Sequence, residues 1–120
     1  MTIITYGGSS HVALESIDSI FLEYELIPQI IIPTQIYPIN IEGILEKAKN
    51  TKYIVTIEES NIEGGFGSEI ISGIAEKRIQ NDNVFLRIGS KNIPLASTKK
   101  LETDCLVNAK SIIRALEKML

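Results

Sequence analysis

Apolar positions change their spacing several times along the chain, and each change marks an element. Residues 2–6 hold threonine, isoleucine and tyrosine, a β-branched and aromatic run that predicts a short strand. Gly7-Gly8 end it, and Ser9 or Ser10 is placed to cap a helix. Ala13, Ile17, Ile20, Phe21 and Tyr24 then recur at helical spacing, with Glu15, Asp18 and Glu23 off that stripe, so one helix is predicted as far as Glu25. The isoleucine-rich run 29–37 predicts a second strand, flanked by Pro28 and Pro38 and broken at Pro33, where the ring removes a donor and bends the chain. Asn40 is a candidate N-cap for a second helix, whose stripe is Ile41, Ile44, Leu45 and Ala48 and which closes near Asn50.

Residues 53–57 are almost wholly apolar, the pattern of a parallel strand buried on both faces. Glu58-Glu59 and a polar stretch follow, then Gly64-Gly65-Phe66-Gly67 and a third helix with Ile70, Ile71, Ile74 and Ala75 on its apolar side. Residues 84–88 predict a fourth strand, a loop contains Pro94, and Ala109, Ile112, Ile113, Leu116 and Leu120 keep helical spacing to the end. Strands alternating with helices imply an α/β fold of three layers: a mainly parallel open sheet with helices on both faces. A chain of 120 residues suits one domain, expected to span 1–120.

Composition narrows the function. Hydrophobic residues make up 44% and charged residues 22%, a globular balance that argues against disorder. Net charge is −3 and the twelve Lys and Arg are scattered apart from Lys99-Lys100, so nucleic acid is not an expected partner. A single cysteine, Cys105, leaves no disulfide and no cysteine cluster for a metal, and a reducing, cytoplasmic location is expected. No stretch approaches the ~20 apolar residues of a membrane span, so no membrane partner is expected.

Few residues offer chemistry. Gly64, Gly65, Gly67 and Ser68 stand at a strand-to-helix turn, where free backbone amides and the helix dipole can hold an anion. The order matches neither the dinucleotide fingerprint nor a P-loop, and Glu58, Glu59 and Glu63 would repel phosphate. The plainer reading is a tight turn packed close to its neighbours. His11 is the only histidine, so any histidine-based catalysis or metal site must use it, with Glu58 or Glu59 as candidate partners. Consecutive carboxylates in a strand point to opposite faces, so this pair suits orienting the following loop better than a two-carboxylate site. Cys105 has no histidine or lysine beside it in sequence and reads as a structural thiol. No catalytic, cofactor or metal residue is assigned on these grounds.

The run Ile54-Val55-Thr56-Ile57-Glu58-Glu59, followed by Ile62-Glu63-Gly64-Gly65-Phe66-Gly67-Ser68-Glu69-Ile70, resembles the strand, double glutamate and glycine turn of transketolase C-terminal domains. Ile4-Thr5-Tyr6-Gly7 with His11-Val12-Ala13-Leu14-Glu15 is similar to the opening of that domain, and Tyr37-Pro38-Ile39-Asn40 to its Pro-Leu-Asp helix start. Leu86-Arg87-Ile88-Gly89, Asn92-Ile93-Pro94-Leu95 and Lys100-Leu101-Glu102 resemble the beta subunit of the decarboxylating component of 2-oxoacid dehydrogenase complexes, with transketolase and deoxyxylulose-phosphate synthase as second choice.

The resemblance implies a C-terminal assembly and partner-docking domain that is not catalytic alone. It implies that thiamine diphosphate and Mg belong to the parent enzyme and that this domain binds no cofactor itself. The implied partners are other domains or subunits of that enzyme, an acyltransferase core and further copies of the chain. Docking to the core falls by resemblance on Asp82 and the C-terminal Leu120. Where the family has Asp-Leu-Arg this chain has Ile32-Pro33-Thr34, which removes a polar contact. Two other readings stand beside this one: an independent anion-binding α/β module using the Gly64 turn, and a free-standing partner-binding protein of the same fold.

Overall fold

A computed structural model of the chain describes residues 1–77, 82–91 and 105–120. Among these described residues four strands form the sheet: β1 (Thr2–Thr5), β2 (Gln29–Ile31), β3 (Tyr53–Asn61) and β4 (Val84–Ser90). All pairings are parallel, in the order β2-β1-β3-β4, so the two apolar strands β1 and β3 lie at the centre. Five helices accompany them among the described residues: α1 (Ser9–Glu15), α2 (Ile17–Tyr24), α3 (Ile41–Lys47), α4 (Phe66–Lys77) and α5 (Ala109–Glu117).

Alternation along the central strands divides the core in two. Ile3, Val55, Ile57 and Ile88 pack with Ala13, Ile20, Ile112 and Leu116 on the face covered by α1, α2 and α5. Ile4 and Ile54 pack with Ile41, Ile44, Ile70 and Ile74 on the face covered by α3 and α4. The expected three-layer α/β architecture with a parallel sheet is therefore present.

Boundaries differ from the sequence expectation in instructive places. The first helix is two helices, parted at Ser16, whose buried hydroxyl donates to Ala13 O at 2.7 Å. A serine that satisfies its hydroxyl on the preceding turn competes with continuation of the helical ladder. Neither Ser9 nor Ser10 is the N-cap of α1; Gly8 holds that position without a side-chain cap. The second strand stops at Ile31, ahead of Pro33, and the rest of the run expected to 37 lies outside the sheet. Strand β3 continues past Ile57 to Asn61 through a register shift against β4, and β4 itself runs on to Ser90. Asn40 does cap α3, accepting from Gly43 N at 2.9 Å. Asn108 and Ser111 form a reciprocal capping box at the start of α5.

Candidate functional site

In an open parallel sheet ligands settle beyond the carboxyl ends of the strands, at the point where the chain's winding reverses. Here that point lies between β1 and β3: from β1 the chain returns to β2 on one side, and from β3 it returns to β4 on the other. Two glycine turns meet there, each opening a helix on a different face of the sheet. After β1 comes Gly7-Gly8 and α1; after β3 comes Gly64-Gly65 and α4. The rings of Tyr6 and Phe66 meet across the crevice, tilted, with centroids 4.6 Å apart.

The chain's own carboxylates occupy this crevice. Glu58 is fully buried, although it ends an apolar run. Its Oε1 accepts from Gly67 N at 3.0 Å, and its Oε2 accepts from the Ser60 hydroxyl. The carboxylate therefore sits at the amino end of α4, where the helix dipole favours negative charge. Glu59, one residue on, points to the opposite face and lies against Gly8 at the start of α1. Consecutive strand residues thus face two helices on two faces of the sheet.

Packing holds the second turn in place. A Cβ on Gly67 would collide with Thr56 Oγ1 and come within 2.9 Å of Glu58 Oε1, so a close approach of α4 to β3 requires glycine there. Gly64 has φ +68°, which favours glycine. Arg87 donates from Nη1 to Ile62 O at 2.9 Å and to Ser68 Oγ at 2.6 Å, and Ser68 donates to Ile62 O at 3.2 Å. Sequence reasoning missed the anchoring roles of Arg87 and Ser60. Their signal was present in the alternation of β4, which aims Arg87 at α4, and in the short polar run after Glu58.

These contacts bear directly on anion binding. The inward amide that an external anion would use at the Gly64–Gly67 turn is bonded to Glu58, and Ser68 is engaged by Ile62 and Arg87. A diphosphate placed there would meet one buried carboxylate and a second on the other face, so these residues do not fit that group. Among the described residues no group of three or more His, Cys, Asp and Glu is arranged to hold a metal ion. His11 is exposed on the first turn of α1, and its imidazole makes no hydrogen bond among the described residues. It is not brought to Glu58, whose oxygens are bonded elsewhere. Cys105 is buried.

The other sequence candidates lie at the edges of the molecule. Asp82 is exposed just ahead of β4, at the end of the sheet where the strands begin. Met119, just past the end of α5, packs against the core cluster on the face covered by α1, α2 and α5. Leu120 is 44% exposed. Ile32-Pro33-Thr34 line a cavity of about 390 Å³ with Gln35, Asn40 and Lys47, and the neighbouring Tyr37 is 90% exposed. A further cavity of about 570 Å³, between β4 and α5, carries Arg87, Lys91, Lys110 and Arg114 on its lining. The motif positions Asn92 to Leu95 and Lys99 to Glu102 fall outside the described residues.

Among the described residues two ionisable groups are shifted by their surroundings. Desolvation raises the Tyr24 hydroxyl above its usual range, with smaller contributions from Glu117 and Glu23. The hydrogen bond from Lys77, at 2.8 Å, and its charge hold the Glu42 carboxyl below the usual range.

Comparison with known proteins agrees with this geometry. The chain is 24% identical over 122 residues to the mitochondrial pyruvate dehydrogenase E1 component subunit beta of Saccharomyces cerevisiae, covering 100% of this chain and 33% of that protein. It is 25% identical over 118 residues to 1-deoxy-D-xylulose-5-phosphate synthase of Acinetobacter baumannii, covering 98% of this chain and 18% of the synthase. The chain thus spans about a third or less of the length of these two relatives. Among solved structures, one described as a split gene transketolase, inactive beta4 tetramer, superposes with a TM-score of 0.81 at 24% identity, covering 99% of this chain and 38% of that one. Residues 1–112 match the family model for the transketolase C-terminal domain, and the chain belongs to that family.

Proposed function

We propose that the chain is the C-terminal assembly and partner-docking domain of a thiamine diphosphate-dependent 2-oxoacid dehydrogenase, of the pyruvate dehydrogenase beta-subunit kind, and is not catalytic alone. The observation that carries this reading is the closed crevice. The position where an α/β sheet ordinarily receives a ligand is taken by Glu58, bonded to Gly67 and Ser60. A domain whose default pocket is filled from within contributes through its outer surfaces. The beta-subunit similarity along the whole chain supports the choice of parent enzyme, and the similarity to the synthase keeps a deoxyxylulose-phosphate synthase as the second choice.

In this reading thiamine diphosphate and Mg are held by other domains, and they supply decarboxylation of a 2-oxoacid there. This chain supplies a rigid body on which those domains and further copies assemble, in the cytoplasm. The exposed Asp82 offers negative charge to a basic docking domain of an acyltransferase core, and the exposed Leu120 is the second docking position.

Reconstitution tests the proposal. The chain is mixed with the polypeptide carrying the thiamine diphosphate-binding domains, and 2-oxoacid decarboxylation is measured for each part and for the mixture. Activity confined to the mixture is expected; a mixture as inactive as its parts contradicts the proposal. For the docking surface, Asp82→Asn in the assembled enzyme is expected to weaken core binding at low salt, with the difference shrinking as salt screens it. Unchanged binding at low salt removes Asp82 from the docking site.

A further inference from the structure

The cavity of about 570 Å³ between β4 and α5 differs from the closed crevice in the sign of its charge. Arg87 and Lys91 line it from the β4 side and Lys110 and Arg114 from α5, and no carboxylate is among its described lining residues. A chain of net charge −3 has twelve Lys and Arg, scattered along the sequence, and the fold gathers four of them at one cavity. The side chains of Lys91, Lys110 and Arg114 make no ion pair or hydrogen bond among the described residues, where the ion pair is Lys77 with Glu42. Arg87 is held at Nη1 by Ile62 O and Ser68 Oγ, which fixes its guanidinium and leaves its other N–H groups without a partner among the described residues. The Lys91 amide donates to Cys105 O at 3.3 Å, so the end of β4 is tied to the segment leading into α5.

These charges work against the helix that carries two of them. Lys110 stands in the first turn of α5, which has no acidic residue, and the helix dipole disfavours a cation there. Lys110 and Arg114 are also four residues apart, a like-charge spacing that disfavours the helix further. Two local rules broken at one cavity mark residues kept for binding rather than for stability. Guanidinium forks match the oxygens of a phosphate and ammonium groups add point charge, whereas a single carboxylate would leave most of that charge unmatched. The volume lies within the range of small-molecule pockets, about 300–1,000 Å³, which favours a small ligand over a peptide laid across the surface. We propose that the β4–α5 cavity binds the phosphate group of a small phosphorylated metabolite. In thiamine diphosphate loaded with Mg²⁺ the metal and the thiazolium offset the diphosphate charge, so that cofactor is not such a ligand. The inference goes beyond the assembly role and does not rest on it.

Titration of the full chain with inorganic phosphate tests it, followed by amide chemical shifts in NMR against sodium chloride of matched ionic strength. Saturable shifts at Arg87, Lys91, Lys110 and Ser111 are expected with phosphate and not with chloride, at a Kd of about a millimolar or tighter. Glycerol 3-phosphate is expected to move the same amides. Arg114→Gln is expected to weaken phosphate binding on the order of tenfold, as the loss of a charge-assisted hydrogen bond does. Lys110→Glu is the discriminating variant. It places an acid at the helix start and pairs it with Arg114 four residues on, so the thermal midpoint is expected to rise while phosphate binding falls about tenfold or more. Circular dichroism confirms that both variants keep the fold. The proposal is overturned by an absence of saturation up to roughly 20 mM phosphate, by shifts that chloride reproduces, or by variants that bind phosphate as the wild type does. Binding of a polyglutamate peptide with no binding of phosphate assigns the cavity to an acidic peptide and overturns it too.

Discussion

The turns after β1 and β3 look alike in sequence, a glycine pair between an apolar strand and a helix with serine close behind, yet they close by different chemistry. The first closes on hydroxyls: Ser9 donates to Tyr6 O at 2.6 Å and lies within 3.0 Å of Thr5 Oγ1, while Ser10 donates to Gly7 O at 2.6 Å. The second closes on a buried carboxylate, with Glu58 joining the strand, Ser60 and the first turn of α4. Neutral hydroxyl contacts are short-range and tie neighbours. A charged acceptor binds two donors at once and takes the place a ligand would need. At the second turn alone, the chain's own buried carboxylate takes the first-turn amide of the helix.

Removing the carboxylate is the strongest way to break that comparison. Glu58→Ala leaves the Gly67 amide and the Ser60 hydroxyl without their acceptor, and hydrogen bonds to charged groups are worth ~1.5–3 kcal/mol each. A destabilisation of about 3 kcal/mol in chemical denaturation is expected. Gly67→Val comes next, at about 2 kcal/mol, because the added atoms press on Thr56 and Glu58. Denaturation midpoints measure both; a Gly67→Val midpoint equal to the wild type removes close packing as the reason for the glycine. Ser9→Ala, the matching change in the first turn, is expected to cost about 1 kcal/mol, since the hydrogen bonds it removes join neutral groups. Equal destabilisation by Ser9→Ala and Glu58→Ala would erase the distinction between the turns.

The smallest expected effect is at the surface. Glu42 has a lowered folded-state pKa because of Lys77, so its contribution to stability is present above the usual carboxylate range and is lost as pH falls through the lowered value. The pair is exposed and screened by solvent. Glu42→Gln is therefore expected to leave neutral-pH stability nearly unchanged and to flatten slightly its fall in acid. A steeper acid fall in the variant would contradict the sign.

How far the sequence was legible follows from the range of the forces involved. Central strands with apolar side chains on both faces, such as 53–57, declare themselves as buried and parallel, and so does the helical spacing of Ile70 and Ile74. The break at Ser16 depends on one hydroxyl turning back to Ala13, which periodicity does not register because Ile17 and Ile20 continue the stripe. The extension of β3 to Asn61 depends on pairing with β4, a partner distant in sequence. At the site, the glycine turn and its preference for close packing were readable from residue types, as was the placement of Glu58 and Glu59 on opposite faces. The burial of Glu58 was not readable, because a glutamate after an apolar run looks like the strand reaching solvent. Only the return of α4 over the strand end turns it inward.

The central claim is that the chain fills its own crevice and leaves cofactor binding to other domains, and isothermal titration calorimetry of the chain with thiamine diphosphate and Mg²⁺ tests it most directly. The account predicts no binding heat beyond dilution; low-micromolar binding would show an autonomous site and contradict the assembly-domain reading.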